Sequence, residues 1–447
     1  MSKGNLKSSA RLLAHQALER IEGDNAYADI VLSHLLERSQ LSIRDRAFVS
    51  ELVRGTVRWK KRLDWIVNQL FSGKADKLPA NVRWLLWAGL YQLEYMRTPV
   101  FAAVNESVNI ARSLKMHRWT GVINGMLRNF ARNASELTFP DPESDPVAWL
   151  AVTESYPEWL VKRLIDQIGL EHAINFCRAN NVAPDLTVRP NRSRITLEKL
   201  SSNLESSAVK FQLSKVPGFI TIKKIDFDYR EKLLRDGLMT IQDASAGLPL
   251  LLAQPQPGQI IFDLCAAPGG KSMLAADMIS DQGIIISGDK NTARAGLVRQ
   301  AANRLAQVSV NVVVADALNF PAKQADLVLL DAPCSGLGVM RKKSDLRWKK
   351  SESDIAELRV LQAKMIRSAG ELVKIGGSLV YSTCTIDHDE NETIIADFLK
   401  EFDNFEIENA GGSNVNDEFI TDRGFVRTWP HVHDMDGSFA AKLTKRY

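Results

Sequence analysis

Two cysteines of this chain stand where a reactive thiol would be useful. Cys334 comes shortly after an apolar run that ends in Asp331, and Cys384 follows a second apolar run that ends in Thr383. Only four cysteines occur in 447 residues, and open α/β sheets present reactive groups outside the carboxyl ends of their strands. Two thiols and a carboxylate at such positions, with a glycine loop upstream at 265–271, indicate covalent chemistry on an electron-poor ring beside a bound cofactor.

Methylation at C5 of a pyrimidine requires this set of groups. C5 is a poor nucleophile until a thiolate adds to C6, which gives an enamine-like ring that can attack an electrophilic methyl group. A base then removes the C5 proton and the thiolate leaves. Asp331 can bond to N3 and N4 of cytosine, and Lys271 can orient the base or lower a thiol pKa. The residues alone leave the roles of Cys334 and Cys384 exchangeable.

Simpler explanations of the cysteines compete with this one. A single cysteine after a strand is more often a small buried hydrophobic residue, but two that face a nucleotide-type loop favour a function. Methylation of an exocyclic N4 amine is a second interpretation of the Asp331 run. That reaction needs no thiol, so the second cysteine argues against it.

The glycine loop precedes a helix and consists mostly of small residues. Such residues let a ligand approach the backbone closely, and the N–H groups at a helix start can bind it. The loop matches neither G-x-G-x-x-G nor a P-loop. The loop residues that we expect to hold a cofactor are Cys265, Ala266, Ala267, Pro268, Gly269, Gly270 and Lys271.

Acidic residues at the ends of the next two predicted strands complete this pocket. Asp289 can accept both hydroxyls of a ribose, and Asp316 can meet an adenine amino group. Each aspartate alone is more readily explained as a helix cap. Together with the loop they predict a cofactor that contains a nucleoside.

From about residue 237 onward, strands and helices alternate, which predicts a doubly wound α/β sheet. The predicted strands are 260–264, 284–289, 310–316, 327–331 and 377–383, and the predicted helices are 271–280, 292–306, 353–373 and 389–401. Residues 147–235 mix helices (158–168, 171–179 and 197–206) with short strands and predict a small α+β domain. Residues 139–146 are typical of a linker.

The chain before this linker, residues 1–140, shows helical periodicity throughout, for example at Leu63, Ile66, Val67 and Leu70. It holds 21 lysines and arginines against 12 aspartates and glutamates, about +9, whereas the remainder carries about −5. Such an excess favours a polyanionic partner, although a solvated helical surface explains it about equally well.

General features exclude several classes of protein. No segment approaches a membrane span, and His15, Arg11 and Glu19 interrupt any signal-peptide core. The four cysteines are too sparse for a disulfide framework and lack zinc-site spacing. We therefore expect a cytoplasmic monomer with free thiols, no membrane association and no metal.

At these residues the chain strongly resembles the bacterial 16S rRNA cytosine-5 methyltransferase family, over nearly its whole length. The matching segments are 242–245, 265–271, Asp289, Asp316, Asp-Ala-Pro-Cys-Ser-Gly at 331–336, 345–348, Tyr-Ser-Thr-Cys at 381–384, 390–392 and 437–443. Residues 104–108 and 121–128 resemble the NusB-type RNA-binding domain of this family, and the middle segment resembles its RRM-like domain. The implied fold is an all-α NusB-like domain (1–140), an α+β RRM-like domain (147–235) and a Rossmann-like methyltransferase domain (237–447).

The resemblance also implies the roles of the site residues. S-adenosylmethionine would lie against 265–271, with its ribose on Asp289, its adenine on Asp316 and its methionine part near Asp331. Cys384 would be the nucleophile, and Cys334 would assist release of the product.

The implied substrate is 16S rRNA that is unassembled or only partly assembled, because the target base must leave its stack. Two alternatives remain open: C5 methylation of another RNA such as tRNA, and a non-catalytic RNA-binding factor in ribosome assembly.

Overall fold

The computed structural model describes residues 9–73 and 77–447. The chain divides into two compact units. The first, here called the helical unit, runs through Asn181 and also takes in Lys342–Lys349. The second, the sheet unit, comprises Val182–Arg341 and Lys350–Tyr447. The three-domain boundaries given above stay a prediction.

The helical unit is built from amphipathic helices, as the apolar periodicity predicts. In the fourth helix Leu63, Ile66 and Val67 are fully buried, at the spacing that places them on one face. The helices are α1 (Ala10–Gly23), α2 (Ala28–Glu37), α3 (Ile43–Arg58), α4 (Lys60–Leu70), α5 (Ala80–Glu94), α6 (Val100–Ser113), α7 (Thr120–Asn133), α8 (Pro146–Thr153), α9 (Glu158–Ile168) and α10 (Leu170–Asn181).

The sheet unit begins with a small split βαβ arrangement. Its elements are β1 (Leu186–Pro190), α11 (Leu197–Ser206), β2 (Lys210–Leu213), β3 (Ile220–Lys224), α12 (Phe227–Arg235) and β4 (Met239–Ile241). The strands lie in the order β2-β3-β1-β4, and each neighbouring pair is antiparallel. This β-α-β-β-α-β topology is ferredoxin-like, which confirms the predicted small α+β fold.

A larger mixed sheet follows. Its elements are α13 (Leu248–Ala253), β5 (Ile260–Asp263), α14 (Gly270–Met278), β6 (Ile284–Asp289), α15 (Thr292–Leu305), β7 (Val310–Val314), β8 (Ala325–Asp331), α17 (Glu352–Glu371), β9 (Val373–Thr383), α18 (Glu392–Glu401), β10 (Phe405–Glu408), β11 (Val426–Thr428), α19 (Pro430–His433) and β12 (Ser438–Lys445); the short helix α16 (Leu346–Lys349), between β8 and α17 in the sequence, belongs to the helical unit. The strand order is β10-β12-β9-β8-β5-β6-β7, with β11 beside β12.

The parallel part, β5 to β9, confirms the predicted α/β sheet. Several details differ from the prediction: β9 begins at Val373, and β10 and β11 are not predicted. β7 ends at Val314, so Asp316 lies two residues beyond the strand. β12 lies between β9 and β10 and is antiparallel to both. In the sequence, 437–443 is identified as a family motif, and no strand is predicted for it.

A short segment between β8 and α17 belongs to the helical unit. The Asp345 carboxylate accepts a hydrogen bond from the Ala28 N–H at 2.8 Å and so caps α2, whose own N-cap residue supplies no side-chain bond. The Trp348 indole donates to the Val57 carbonyl at 2.7 Å. Arg347 is completely buried, with its guanidinium carbon 3.8 Å from the centre of the Tyr156 ring. Residues 342–349 therefore complete this unit from a distant part of the sequence.

Among the described residues, no helix has the length and apolar character needed to cross a bilayer.

Candidate active site

The predicted site residues lie at one edge of the large sheet. β5, β6 and β8 end at Asp263, Asp289 and Asp331, and Cys384 directly follows β9. Parallel strands present their carboxyl ends at the same edge. Because β8 lies between β9 and β5, the loops that carry Cys334, Cys384 and residues 265–271 are neighbours.

The sulfur atoms of Cys334 and Cys384 are 3.3 Å apart, and neither cysteine is in a disulfide in the described structure. Cys384 is exposed and Cys334 is half-buried. The hydrogen bond with Cys384, followed by burial, raises the pKa of the Cys334 thiol well above its ordinary value. Cys334 therefore keeps its proton and can donate it in a hydrogen bond to the sulfur of Cys384.

A lysine–aspartate pair lies beside these thiols. Lys271 Nζ is 2.8 Å from Asp331 Oδ2, and Ser382 Oγ donates to Asp331 Oδ1 at 2.9 Å. Burial is the largest single influence on the pKa of Lys271 and lowers it, but the charge and hydrogen bond of Asp331, together with Asp263 and Cys384, outweigh burial and raise the pKa overall. Lys271 is thus a permanent ammonium group close enough to Cys384 to favour its thiolate.

The glycine loop is held in a fixed conformation by its own backbone. Ala266 N–H donates to the Gly288 carbonyl at 2.8 Å, and Gly269 N–H donates to the Ala266 carbonyl at 2.7 Å. Gly269 has φ of +107°, a region that side chains disfavour, and α14 starts at the next residue. The N–H groups of this helix start are presented at the edge of the sheet that carries the thiols. Cys265, in the same loop, has a pKa raised by burial, so its thiol is not a nucleophile at neutral pH.

Asp289 and Asp316 lie farther along the same edge, on the side of β6 and β7. Asp289 is buried, and its Oδ1 accepts the Asn291 N–H at 2.9 Å while Oδ2 lies 3.4 Å from Arg294 Nε. Arg294 also donates to the Ala267 carbonyl at 3.0 Å and so ties this aspartate to the glycine loop. Asp316 is exposed and caps a short 3₁₀ turn through the Leu318 N–H at 3.0 Å. Asp316 therefore acts as a cap through Oδ1, and this bond does not involve its Oδ2.

Sequence reasoning assigns no role to Asp263, which is completely buried at the end of β5. Its Oδ2 accepts Ser272 Oγ at 2.6 Å, and Ser272 Oγ in turn bonds to Ser287 Oγ at 2.8 Å. Burial raises the pKa of Asp263 to about 6. This chain of hydrogen bonds ties β5 and β6 to α14 beneath the glycine loop.

A second set of buried polar residues also escapes sequence reasoning. Glu390 and Asn391 are completely buried behind the two cysteine loops, together with Gln362, Ser335 and Thr385. The available signal in the sequence is the pair of glutamates in the matched segment 390–392, at the start of an amphipathic helix.

Two features define a Rossmann-like methyltransferase domain. The parallel strands β5 to β9 are extended by the antiparallel strand β12 next to β9, and a glycine loop follows β5. Family models agree with this class. Residues 250–444 match the 16S rRNA methyltransferase RsmB/F family, residues 8–132 match the NusB family, and residues 156–225 match the ferredoxin-like domain of RsmF/B-like methyltransferases.

Similar proteins extend over the whole chain. The probable ribosomal RNA small subunit methyltransferase B of Bacillus subtilis is 32% identical, over 98% of this chain and 99% of that protein. The ribosomal RNA small subunit methyltransferase B of Escherichia coli is 31% identical, over 98% of both. The crystal structure of PH0851 superposes with a TM-score of 0.79 at 23% identity, over 98% of this chain and 99% of that chain, and so supports the fold. The chain belongs to the 16S rRNA methyltransferase RsmB/F family.

Proposed function

We propose that this protein methylates C5 of a cytidine in 16S rRNA, with S-adenosylmethionine as methyl donor and a covalent bond between Cys384 and C6 of the base. The observation that carries the proposal is the pair of sulfurs 3.3 Å apart, next to the ion pair of Lys271 and Asp331. Methylation of an exocyclic amine would need neither sulfur.

Cys384 is assigned as the nucleophile for two reasons. It is the exposed member of the pair, and the protonated Cys334 thiol and the Lys271 ammonium both stabilise a thiolate at this position. Bond formation between Sγ and C6 moves the ring electrons toward C5 and N3. Asp331, held by Lys271 and Ser382, is assigned to contact the N3 and N4 edge of the base.

Cys334 is assigned to the release of the product. After methylation the C5 proton must leave, its electron pair must form the C5–C6 double bond, and the bond from C6 to Cys384 must break. The C5 proton passes to a water molecule, and the Cys334 thiol, whose raised pKa keeps it protonated, donates a hydrogen bond to the adjacent Cys384 sulfur, so that this sulfur departs from C6 as a stabilised thiolate. The location we propose is the cytoplasm, where reducing conditions keep both sulfurs as thiols.

The residues at the sheet edge fit the proposed cofactor. The glycine loop and the start of α14 offer backbone N–H groups, and Asp289 offers a carboxylate at the position where ribose hydroxyls bind in related folds. We assign 265–271 and Asp331 to the methionine part, Asp289 to the ribose and Asp316 to the adenine. When bound, S-adenosylmethionine supplies an electrophilic methyl group.

The proposed substrate is free or partly assembled 16S rRNA, since a base must be unstacked to reach a thiol at the sheet edge. The excess of positive charge in the first 140 residues supports RNA as the partner.

The test uses 16S rRNA labelled with tritium at C5 of cytidine. Only attack at C5 releases tritium, so the wild-type protein should release it in step with methyl transfer. Cys384→Ala should abolish both, a loss of at least about 10³-fold for a nucleophile. Cys334→Ala should accumulate a covalent RNA–protein adduct that survives denaturing gel electrophoresis.

Methyl transfer without tritium release would indicate N4 methylation, and full activity of Cys384→Ala would refute the assigned nucleophile. Activity on tRNA in place of 16S rRNA would change the substrate and keep the chemistry. No binding of S-adenosylmethionine in calorimetry would instead support a non-catalytic assembly factor.

A further inference from the structure

A completely buried carboxyl group lies behind both reactive thiols. Glu390 Oε1 accepts two hydrogen bonds, from the Ser335 N–H at 2.8 Å and from Gln362 Nε2 at 2.9 Å. Its Oε2 accepts a bond from the Ser335 hydroxyl. Gln362 also donates to the Pro333 carbonyl at 2.8 Å. Glu390 and Gln362 thus hold the residues on either side of Cys334.

The same group reaches the loop of the second thiol. Ser335 Oγ and Thr385 Oγ1 are 2.8 Å apart, and these are the residues that follow Cys334 and Cys384. Because the Ser335 proton is directed to Glu390, Thr385 is the donor in this pair. A single chain of hydrogen bonds therefore runs from Thr385 through Ser335 to Glu390.

Asn391 fixes the Cys384 loop from both sides. Its Oδ1 accepts the Thr383 hydroxyl at 2.6 Å, and its Nδ2 donates to the Thr385 carbonyl at 3.1 Å. The Cys384 carbonyl itself accepts the Gly338 N–H at 3.0 Å, a further link to the loop that carries Cys334. The side chains of this set are buried beneath the two loops, so they act on the thiols from behind.

We propose that Glu390, through Ser335 and Thr385, is a positioning residue that fixes the distance and direction between the two catalytic sulfurs. This inference rests on the proposed function, because the two thiols are assigned there to successive steps. Apart from Gln362 Oε1, the buried side-chain oxygen and nitrogen atoms of this network have hydrogen-bond partners, and such a network favours one geometry. Reacting groups displaced by about 1 Å can lose on the order of 10²-fold in rate. Burial raises the pKa of Glu390, and the bonds from Ser335 and Gln362 oppose this.

The first test compares Thr385→Val with Thr385→Ser. Valine has a similar shape but cannot donate to Ser335, whereas serine keeps the hydroxyl. We expect Thr385→Val to lower kcat by about tenfold or more, with KM for RNA within about twofold of wild type, and to raise the fraction of trapped RNA adduct. Thr385→Ser should restore kcat to within about threefold. Glu390→Gln, which puts a donor where Ser335 needs an acceptor, should behave like Thr385→Val.

The second test measures the thiol pair without RNA, so that it stays informative if the proposed methylation is wrong. Phenylarsine oxide condenses with two adjacent thiols to give one dithioarsenite and one water. Wild-type protein should bind the arsenical so tightly that a competing dithiol, but not a monothiol, removes it. Cys334→Ala has only one of the two thiols and should release the arsenical to a monothiol.

Folded Thr385→Val and Glu390→Gln should retain the arsenical at least about tenfold more weakly than wild type. Unchanged arsenical retention and an unchanged adduct fraction in these folded variants would overturn the inference and leave Glu390 a purely structural residue.

Discussion

At the scale of single residues, the site combines groups whose protonation is set by burial and by neighbours. Cys334 keeps its proton because of its hydrogen bond with Cys384 and its burial, and Lys271 keeps its charge because Asp331, with Asp263 and Cys384, outweighs burial. A protonated thiol and an ammonium group are therefore both held beside the exposed Cys384 sulfur.

Asp263 gives a residue-scale prediction about stability. Its folded-state pKa of about 6 lies above its ordinary value of 3.8 because of burial. The folded protein therefore binds this proton more tightly, so the stabilisation is complete below about pH 4 and is lost as pH rises through about 6. Relative to Asp263→Asn, the wild-type free energy of unfolding should fall by about 1–3 kcal/mol between pH 4 and pH 7.

Urea denaturation of both proteins at several pH values measures this difference. A difference that stays constant with pH would show that Asp263 ionises normally in the folded state.

At the scale of elements, the segment 342–349 shows how a helical bundle can depend on a distant part of its chain. Arg347 Nη1 donates to Asn181 Oδ1 at 2.9 Å and to the Ser155 carbonyl at 3.2 Å, and the arginine is buried from solvent. Removing this donor leaves buried acceptors without partners, which costs more than an ordinary surface hydrogen bond.

Arg347→Met should therefore destabilise the helical unit by about 2–4 kcal/mol. Methionine fills much of the volume of the arginine stem, so the loss of stability reports the guanidinium. Lys349→Met is the matched control, since the Lys349 bond to Asn25 is exposed and should contribute less than about 1 kcal/mol. Chemical denaturation followed by tryptophan fluorescence compares them, and equal effects of the two substitutions would contradict the assigned role of Arg347.

The elements also show how far the sequence predicts the fold. β5, β6 and β8 were predictable because each is a short apolar run that ends in an aspartate, and the helices of the helical unit because their apolar residues repeat at helical spacing. The antiparallel pairing of β12 with β9 and β10 was not predictable, since contacts between residues far apart in the sequence decide which strands pair.

The candidate site divides in the same way. The thiols, Lys271 and the strand-end aspartates carry chemistry that their residue types indicate. The roles of Glu390, Gln362 and Arg347 depend on partners at a separation of 28 residues or more, which no local pattern reveals.

At the scale of the whole molecule, positive charge is concentrated in the first 140 residues, which hold 21 basic against 12 acidic side chains. If these residues bind rRNA phosphates, each neutralised phosphate releases counterions and binding weakens with salt. We expect the affinity for 16S rRNA to fall by at least about tenfold between roughly 50 and 200 mM salt.

The double substitution Arg128→Gln and Arg132→Gln, at exposed positions of α7, should reduce the slope of this dependence by about one unit for each phosphate that the variant no longer neutralises. Filter binding at a series of salt concentrations measures it. An affinity that does not change with salt would indicate that the helical unit binds a protein instead.

The placement of residues 342–349 within the helical unit has a consequence for synthesis on the ribosome. Helices α1 to α10 emerge first, but the cap of α2 and the buried guanidinium beside Tyr156 come from residues translated much later. The amino-terminal bundle must therefore wait for its last hydrogen bonds, at Asn181 and at the start of α2, until β5 to β8, half of the strands of the large sheet, have left the exit tunnel.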